Sequence, residues 1–181
     1  MHCLFFDVRP KPGHMVQYFA HVDRLKPVLA RHRGLLYLER FRPLDAPDAL
    51  LSHQLWQDEA AILAWRRDMT HRASQWAGRR IHFEAYRIRV GPQELCLPGP
   101  GTLPAEPGRW LIAAYGTAPS RIGRAFESVT RPGRFVTLTE AGDGAEATER
   151  AAAMAADGAE TVRVFRIARD YTMTDRAEAP E

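Results

Sequence analysis

The 181-residue sequence contains no run approaching the roughly 18–20 apolar residues that a bilayer-spanning helix requires. It has only two cysteines, Cys3 and Cys96, far apart and in no metal-ligand spacing. They read as reduced thiols. The opening Met1-His2-Cys3-Leu4-Phe5-Phe6-Asp7 lacks the basic segment and small-residue cleavage site of a signal peptide, so a cytoplasmic location is expected. No GxGxxG, P-loop or GxSxG pattern occurs, which leaves nicotinamide, nucleotide and serine-hydrolase chemistry unsupported. His21, His53, His71 and His82 are not spaced as ligand pairs, so no metal ion is expected.

What is present is ordinary in amount and uneven in placement. Apolar residues make up 45% and charged residues 26%, as in a typical globular protein. Residues 1–92 hold 15 Lys/Arg against 9 Asp/Glu, whereas residues 93–181 hold 10 against 13. All seven histidines lie in the first part. A basic face of this kind either attracts an anionic or phenolate-like ligand or is simply solvated. The arginines are scattered and not interleaved with aromatics, so no nucleic-acid partner is expected.

Local patterns give an order of elements. Residues 3–9 are bulky and β-prone, and Pro10 to Gly13 turn the chain. Met15, Phe19, Val22, Leu25 and Leu29 follow at helical spacing, with Pro27 expected to kink the helix. Arg31-His32-Arg33-Gly34 reads as its end. Strands are expected over 35–42 and 50–56, then a helix opened by Asp58-Glu59, then a strand from His82 to Val90. That order, β-α-β-β-α-β, is the ferredoxin-like, split βαβ plan.

The Pro- and Gly-rich residues 92–108 read as a linker. Beyond them a shortened repeat is expected: a strand over 110–115, a helix over 119–129, and a strand over 134–139. A helix over 145–156 and a strand over 161–169 complete it, with one middle strand missing. Tyr86-Arg87-Ile88 matches Phe165-Arg166-Ile167, suggesting the same inside/outside alternation. The expected organisation is a first unit over 1–91, the linker, and a degenerate second unit with a tail over 109–181.

One stretch carries more than periodicity. Leu55-Trp56-Gln57-Asp58-Glu59-Ala60-Ala61-Ile62-Leu63-Ala64-Trp65-Arg66 is followed by His71-Arg72-Ala73-Ser74-Gln75, Gly78-Arg79, Phe83 and Tyr86 to Val90. Together with Gly34, Glu39-Arg40-Phe41 and Leu50-Leu51-Ser52, it resembles the antibiotic biosynthesis monooxygenase (ABM) family of dimeric α+β barrels. Arg169 to Arg176 resembles the tail that follows the last strand in single-domain members. The resemblance implies an α+β fold of ferredoxin-like units closing a barrel, as a homodimer or as an internal pseudo-dimer. It also implies a tail, from Tyr171 to Glu181, that wraps a neighbour.

The implied activity is a cofactor-independent monooxygenase that takes O2 and a small electron-rich aromatic, anthrone- or phenol-like, to a quinone. Two other outcomes fit the same resemblance: a small-molecule-binding protein without turnover, and a haem-binding or haem-degrading enzyme. The haem branch fits poorly, because its histidine position falls on Gln75 and its asparagine position on Phe6 or Asp7.

The candidate catalytic residues are Trp65, His71 and Arg87, with Phe6, Trp56, Phe83 and Arg89 as substrate-binding walls. Trp65 resembles the family's pocket tryptophan; otherwise it is core, as Trp76 is expected to be. Ile62, Trp65, Met69, Ala73, Trp76 and Phe83 form an apolar stripe at helical spacing. His71 follows a break at Asp68 to Thr70, where the helix dipole would lower its pKa and leave a neutral base. Its bland alternative is a first-turn histidine facing water. Arg87 and Arg89 share one strand face and supply an oxyanion partner if that face lines a cavity, or an interface charge if it does not.

Overall fold

A computed structural model describes residues 1–180. The first unit comprises β1 (His2–Pro10), α1 (Met15–Leu29), β2 (Leu35–Pro43), β3 (Leu50–Trp56), α2 (Glu59–Arg67), α3 (Met69–Ala77) and β4 (Phe83–Leu97), with one π-helical turn before β4. The second comprises β5 (Pro107–Gly116), β6 (Arg124–Ser128), β7 (Phe135–Asp143), α4 (Gly144–Ala156), β8 (Thr161–Arg166) and the tail strand β9 (Arg169–Thr172).

The antiparallel order β4-β1-β3-β2 in the first unit recurs as β8-β5-β7-β6 in the second. Both are the ferredoxin-like arrangement. The two sheets join along β2–β6 and β4–β8, so eight strands close a barrel within one chain. Closure abolishes the exposed edges that an open sheet would carry. The barrel core is filled by Phe5, Phe41, Phe126, Phe165, Leu51 and Leu111, among others, with a second cavity beside Leu111 and Phe126. Helices cover the outer faces.

β4 serves both units. Residues 83–92 pair with β1, and residues 93–97 pair with β8. The handover falls at Gly91, where a Cβ would lie 1.9 Å from the Arg166 carbonyl oxygen. Only glycine allows the two backbones this close. The expected linker therefore begins late, since residues 92–97 are strand.

Several expectations need correcting. No helix forms over 119–129: Arg124–Ser128 is β6, and Gly123 just before it has φ +136. The second unit thus keeps all four strands and lacks its first helix. α1 runs through Pro27 to Leu29 because Pro27 sits in the last turn, where little helix remains to disrupt. Gly34 has φ +90 but turns the chain into β2, four residues beyond Ala30 at the helix cap. The closing strand splits after Arg166, and its second part, β9, pairs with residues 87–90 of β4.

The Tyr86/Phe165 match is out of phase in space. Tyr86 and Ile88 lie under the first unit's helices, whereas Phe165 and Ile167 face the barrel interior. The tail folds back on its own chain, with Arg66 donating to the Pro180 carbonyl (2.6 Å) and Arg176 to the Tyr86 hydroxyl (2.6 Å). Among the described residues no helix is long and apolar enough to cross a membrane.

Candidate functional site

The outer faces of the two units are filled differently. α4 is rich in alanine, and Ala147, Ala151 and Met154 are fully buried against the second sheet. Small side chains let it lie close, and Leu103 of the connector and Ile122 fill the remaining space. In the first unit, α1 and the α2–α3 pair hold bulky residues apart over the sheet. They leave a cavity of about 380 Å³, within the size range of small-molecule sites.

Trp65 closes one end of that cavity. It is 3% exposed and packs with Trp56, Leu29, Ile62 and Val90. Burying a tryptophan removes roughly 200 Å² from water, about 5 kcal/mol at 25 cal/mol per Å². The opposite end is aromatic as well: Phe6 stands 5.9 Å from both the Phe83 and Tyr86 rings. Of the expected walls, Phe6 and Phe83 line the cavity. Trp56 does not reach it. Fully buried beneath Trp65, it donates its indole N–H to Gln54 Oε1 (2.9 Å).

His71 is placed by a helix break. Asp68 ends α2 and caps α3, accepting from the Thr70 and His71 backbone N–H groups (2.9 and 3.0 Å). The break turns the imidazole onto Trp65, with centroids 3.9 Å apart and planes 13° apart. His71 Nδ1 lies 2.9 Å from the Trp65 carbonyl oxygen. With the proton on Nδ1 this contact is a hydrogen bond to the carbonyl and Nε2 is left as an acceptor; Gln75 Nε2 stands 3.0 Å from the same Nδ1. Burial lowers the His71 pKa to about 4, which keeps the ring neutral. Neutrality was expected from the helix dipole, but its main physical cause is desolvation. The histidine does not face water.

The same break rotates the rest of the apolar stripe away from the sheet. Met69 is 84% exposed and Trp76 is 56% exposed, so Trp76 is not core.

Arg87 and Arg89 are not in this cavity. Both sit on the barrel side of β4, opposite Asp7 and Phe5 of β1. Their face lines a second cavity, on the barrel side, where the protein's own carboxylates pair with them. Arg89 pairs with Asp7 (2.8 Å) and Glu140 (2.9 Å), and Arg87 with Asp170 (2.6 Å) and Glu140 (3.0 Å). The cation on the cavity wall deep in the sheet is Arg40 of β2, in register with Ser52. The sequence pattern gave no pocket role to Arg40, nor to Tyr18, His21 and Ser74, whose hydroxyl lies 3.2 Å from His21 Nδ1. Tail residues Tyr171, Arg176 and Pro180 complete the rim.

Other buried polar groups belong to the barrel. His53 is fully buried, stacked on Phe5 (4.1 Å) and bonded to the Tyr115 hydroxyl (2.6 Å), and burial lowers its pKa to about 3. Cys3 is sealed off as well, its thiol pushed up to about 12, which removes its nucleophilicity. Among the described residues no cluster of three or more His, Cys, Asp or Glu is arranged to hold a metal ion.

The half that holds the cavity also holds the recognisable sequence. Residues 1–76 match the antibiotic biosynthesis monooxygenase (ABM) family. A jasmonate monooxygenase named ABM, from Pyricularia oryzae, is 34% identical over 91 residues, covering 50% of this chain and 42% of that protein. The chain thus spans less than half the length of that relative. Among solved structures, a Shewanella oneidensis protein is 16% identical with a TM-score of 0.46, covering 49% of this chain and 86% of the other. An anthrone oxidase-like protein is 9% identical with a TM-score of 0.44, covering 99% and 96%. Trp65, His71 and Arg40 all lie inside the matched residues; Phe83 and Arg87 lie beyond them.

Proposed function

We propose that the protein is a cofactor-independent monooxygenase that oxidises a small electron-rich aromatic, anthrone- or phenol-like, to a quinone. The observation that carries this is the Trp65–His71 stack, within the residues that match the ABM family, on the wall of an apolar cavity. The indole face holds a flat ring system, and the neutral imidazole Nε2 accepts the proton of an acidified C–H or O–H. The resulting anion is its own reductant for O2. For an anthrone, one oxygen atom becomes the new carbonyl and the other leaves as water with the two methylene hydrogens. The substrate supplies all four electrons.

Arg87 has no part in this chemistry, because the sheet stands between it and Trp65. Trp56 supports Trp65 from below and does not touch substrate. Phe6 and Phe83 form the far wall.

The test is oxygen uptake and quinone absorbance with anthrone-type substrates, comparing wild type with Trp65→Phe and His71→Ala. Loss of at least tenfold in the His71 variant is expected. Unchanged rates in both variants would overturn the assignment. Tight ligand binding with no oxygen uptake from any phenol or anthrone would instead favour a binding protein. A Soret shift on haem titration would bring back the haem reading.

A further inference from the structure

The charge around the cavity is one-sided. Six Lys and Arg side chains line it against one carboxylate, Glu59, and that carboxylate is taken by Arg169 (2.7 Å). Most of the six are at the rim or have protein acceptors. Arg66 donates to Tyr171 and Pro180, and Arg176 donates to Tyr86. Arg40 differs. It projects from the middle of β2, and its Nε is closed off from solvent with no hydrogen-bond partner among the described residues. An N–H closed off from water without a partner is costly, by the desolvation that it never recovers. On a cavity wall such a guanidinium can find its acceptor in a ligand.

The neighbours of Arg40 are arranged to help. Tyr18, buried on the same cavity wall, offers a phenolic O–H that can donate. Ser52, directly across from Arg40 in the β2–β3 register, accepts from Gln54 Nε2 (3.4 Å) and likewise keeps an O–H to give. Gln54 is oriented in turn by Trp56. One end of the cavity therefore presents a positive charge with two hydroxyl donors and no free carboxylate. The other end presents the Trp65–His71 stack. Ser52 and Trp56, four residues apart on β3, place those ends about 13 Å apart, which matches an elongated fused-ring molecule.

We infer that the substrate of this cavity carries a carboxylate at one end, bound by Arg40 with Tyr18 and Ser52, and is oxidised at the other end beside Trp65. The planar guanidinium suits a planar carboxylate, which it engages with two parallel N–H donors. This deepens the proposal that the cavity is the substrate site. It narrows the substrate class to amphipathic aromatic acids.

The test compares the binding of anthracene-2-carboxylate and its methyl ester by tryptophan fluorescence quenching, with no turnover required. Wild type is expected to prefer the acid by roughly tenfold or more. In Arg40→Met the preference is expected to vanish while ester affinity stays within about twofold, which shows the cavity to be intact. Equal affinity for acid and ester in wild type, or a preference that survives in Arg40→Met, would overturn the inference. If Arg40→Met no longer binds the ester, Tyr18→Phe decides: a preference reduced by about threefold supports the site, and an unchanged preference counts against it. Acid preference without oxygen uptake would remove the monooxygenase proposal and leave the carboxylate site standing. Oxygen uptake with no acid preference would do the reverse.

Discussion

The Trp65 indole and the His71 imidazole lie nearly parallel, 3.9 Å apart, although six residues and a helix break separate them in sequence. The break at Asp68 makes this contact possible. A continuous helix would place residues 65 and 71 about 600° apart, on different faces. The contact also explains why the histidine stays neutral: one side of its ring is covered by indole and its Nδ1 is tied to a carbonyl.

The roles of stacking and proton acceptance are separable. His71→Phe keeps a flat ring against Trp65 and removes the acceptor. We expect turnover to fall by about 10²-fold or more with aromatic-ligand affinity changed little. Steady-state oxygen uptake together with fluorescence quenching measures both. A matched loss in affinity would mean that His71 acts only in binding.

Burial of His53 and His71 makes the fold acid-sensitive. Both folded pKa values lie below the unfolded value near 6.5, at about 3 and about 4. Below pH 6.5 the unfolded chain takes up protons that the folded chain refuses, so stability falls with falling pH. It is fully present above pH 6.5 and declines until the folded pKa values are reached. Between pH 6 and 4 the two histidines together contribute a slope of about 2 kcal/mol per pH unit. Denaturant titrations across that window check it, and His71→Gln should reduce the slope by about half.

Arg89 is a structural cation. Its side chain is 7% exposed and its partner Asp7 is 25% exposed. Arg89→Met is expected to cost about 3 kcal/mol by leaving Asp7 without its buried partner. It should not change KM for an aromatic substrate, because the sheet lies between Arg89 and the cavity. Chemical denaturation and steady-state kinetics on the same variant give both readouts. A raised KM with unchanged stability would return Arg89 to the site.

Much of the first unit was legible because each element is local. The strand alternation of Tyr86, Ile88 and Val90, the helical spacing from Met15 to Leu29, and the acids at 58 and 59 mark their elements without tertiary help. The second unit was less so. Ile122, Phe126 and Val129 are spaced for a helix, yet Gly123 turns the chain and Phe126 points into the barrel from β6.

Alternation shows which residues share a face but not where that face points. That is why Arg87 and Arg89 could be grouped on one face, while the side of the sheet that this face looks to stayed open. Arg40 gave no signal of its own. Between Glu39 and Phe41, both turned into the barrel, its outward position becomes visible only once the register with Ser52 is known.

Gly91→Ala tests the seam. The added Cβ meets backbone atoms of Arg166 and Ile167, which cannot swing aside as a side chain would. A loss of about 3 kcal/mol is expected. Gly142→Ala, whose nearest neighbour would be 3.7 Å away, serves as a control with an expected change within about 0.5 kcal/mol. Equal melting temperatures for the two variants would show that the close approach at Gly91 carries no weight.

Closure through β4–β8 and β2–β6 makes assembly of this barrel a unimolecular event. A barrel built from two chains dissociates on dilution, and its melting point tracks protein concentration. Here the halves are tethered by the connector, so dilution leaves the barrel intact. The two halves are also free of the symmetry that binds identical subunits. A substitution in one need not suit the other, and the second half has lost a helix while the first keeps its cavity.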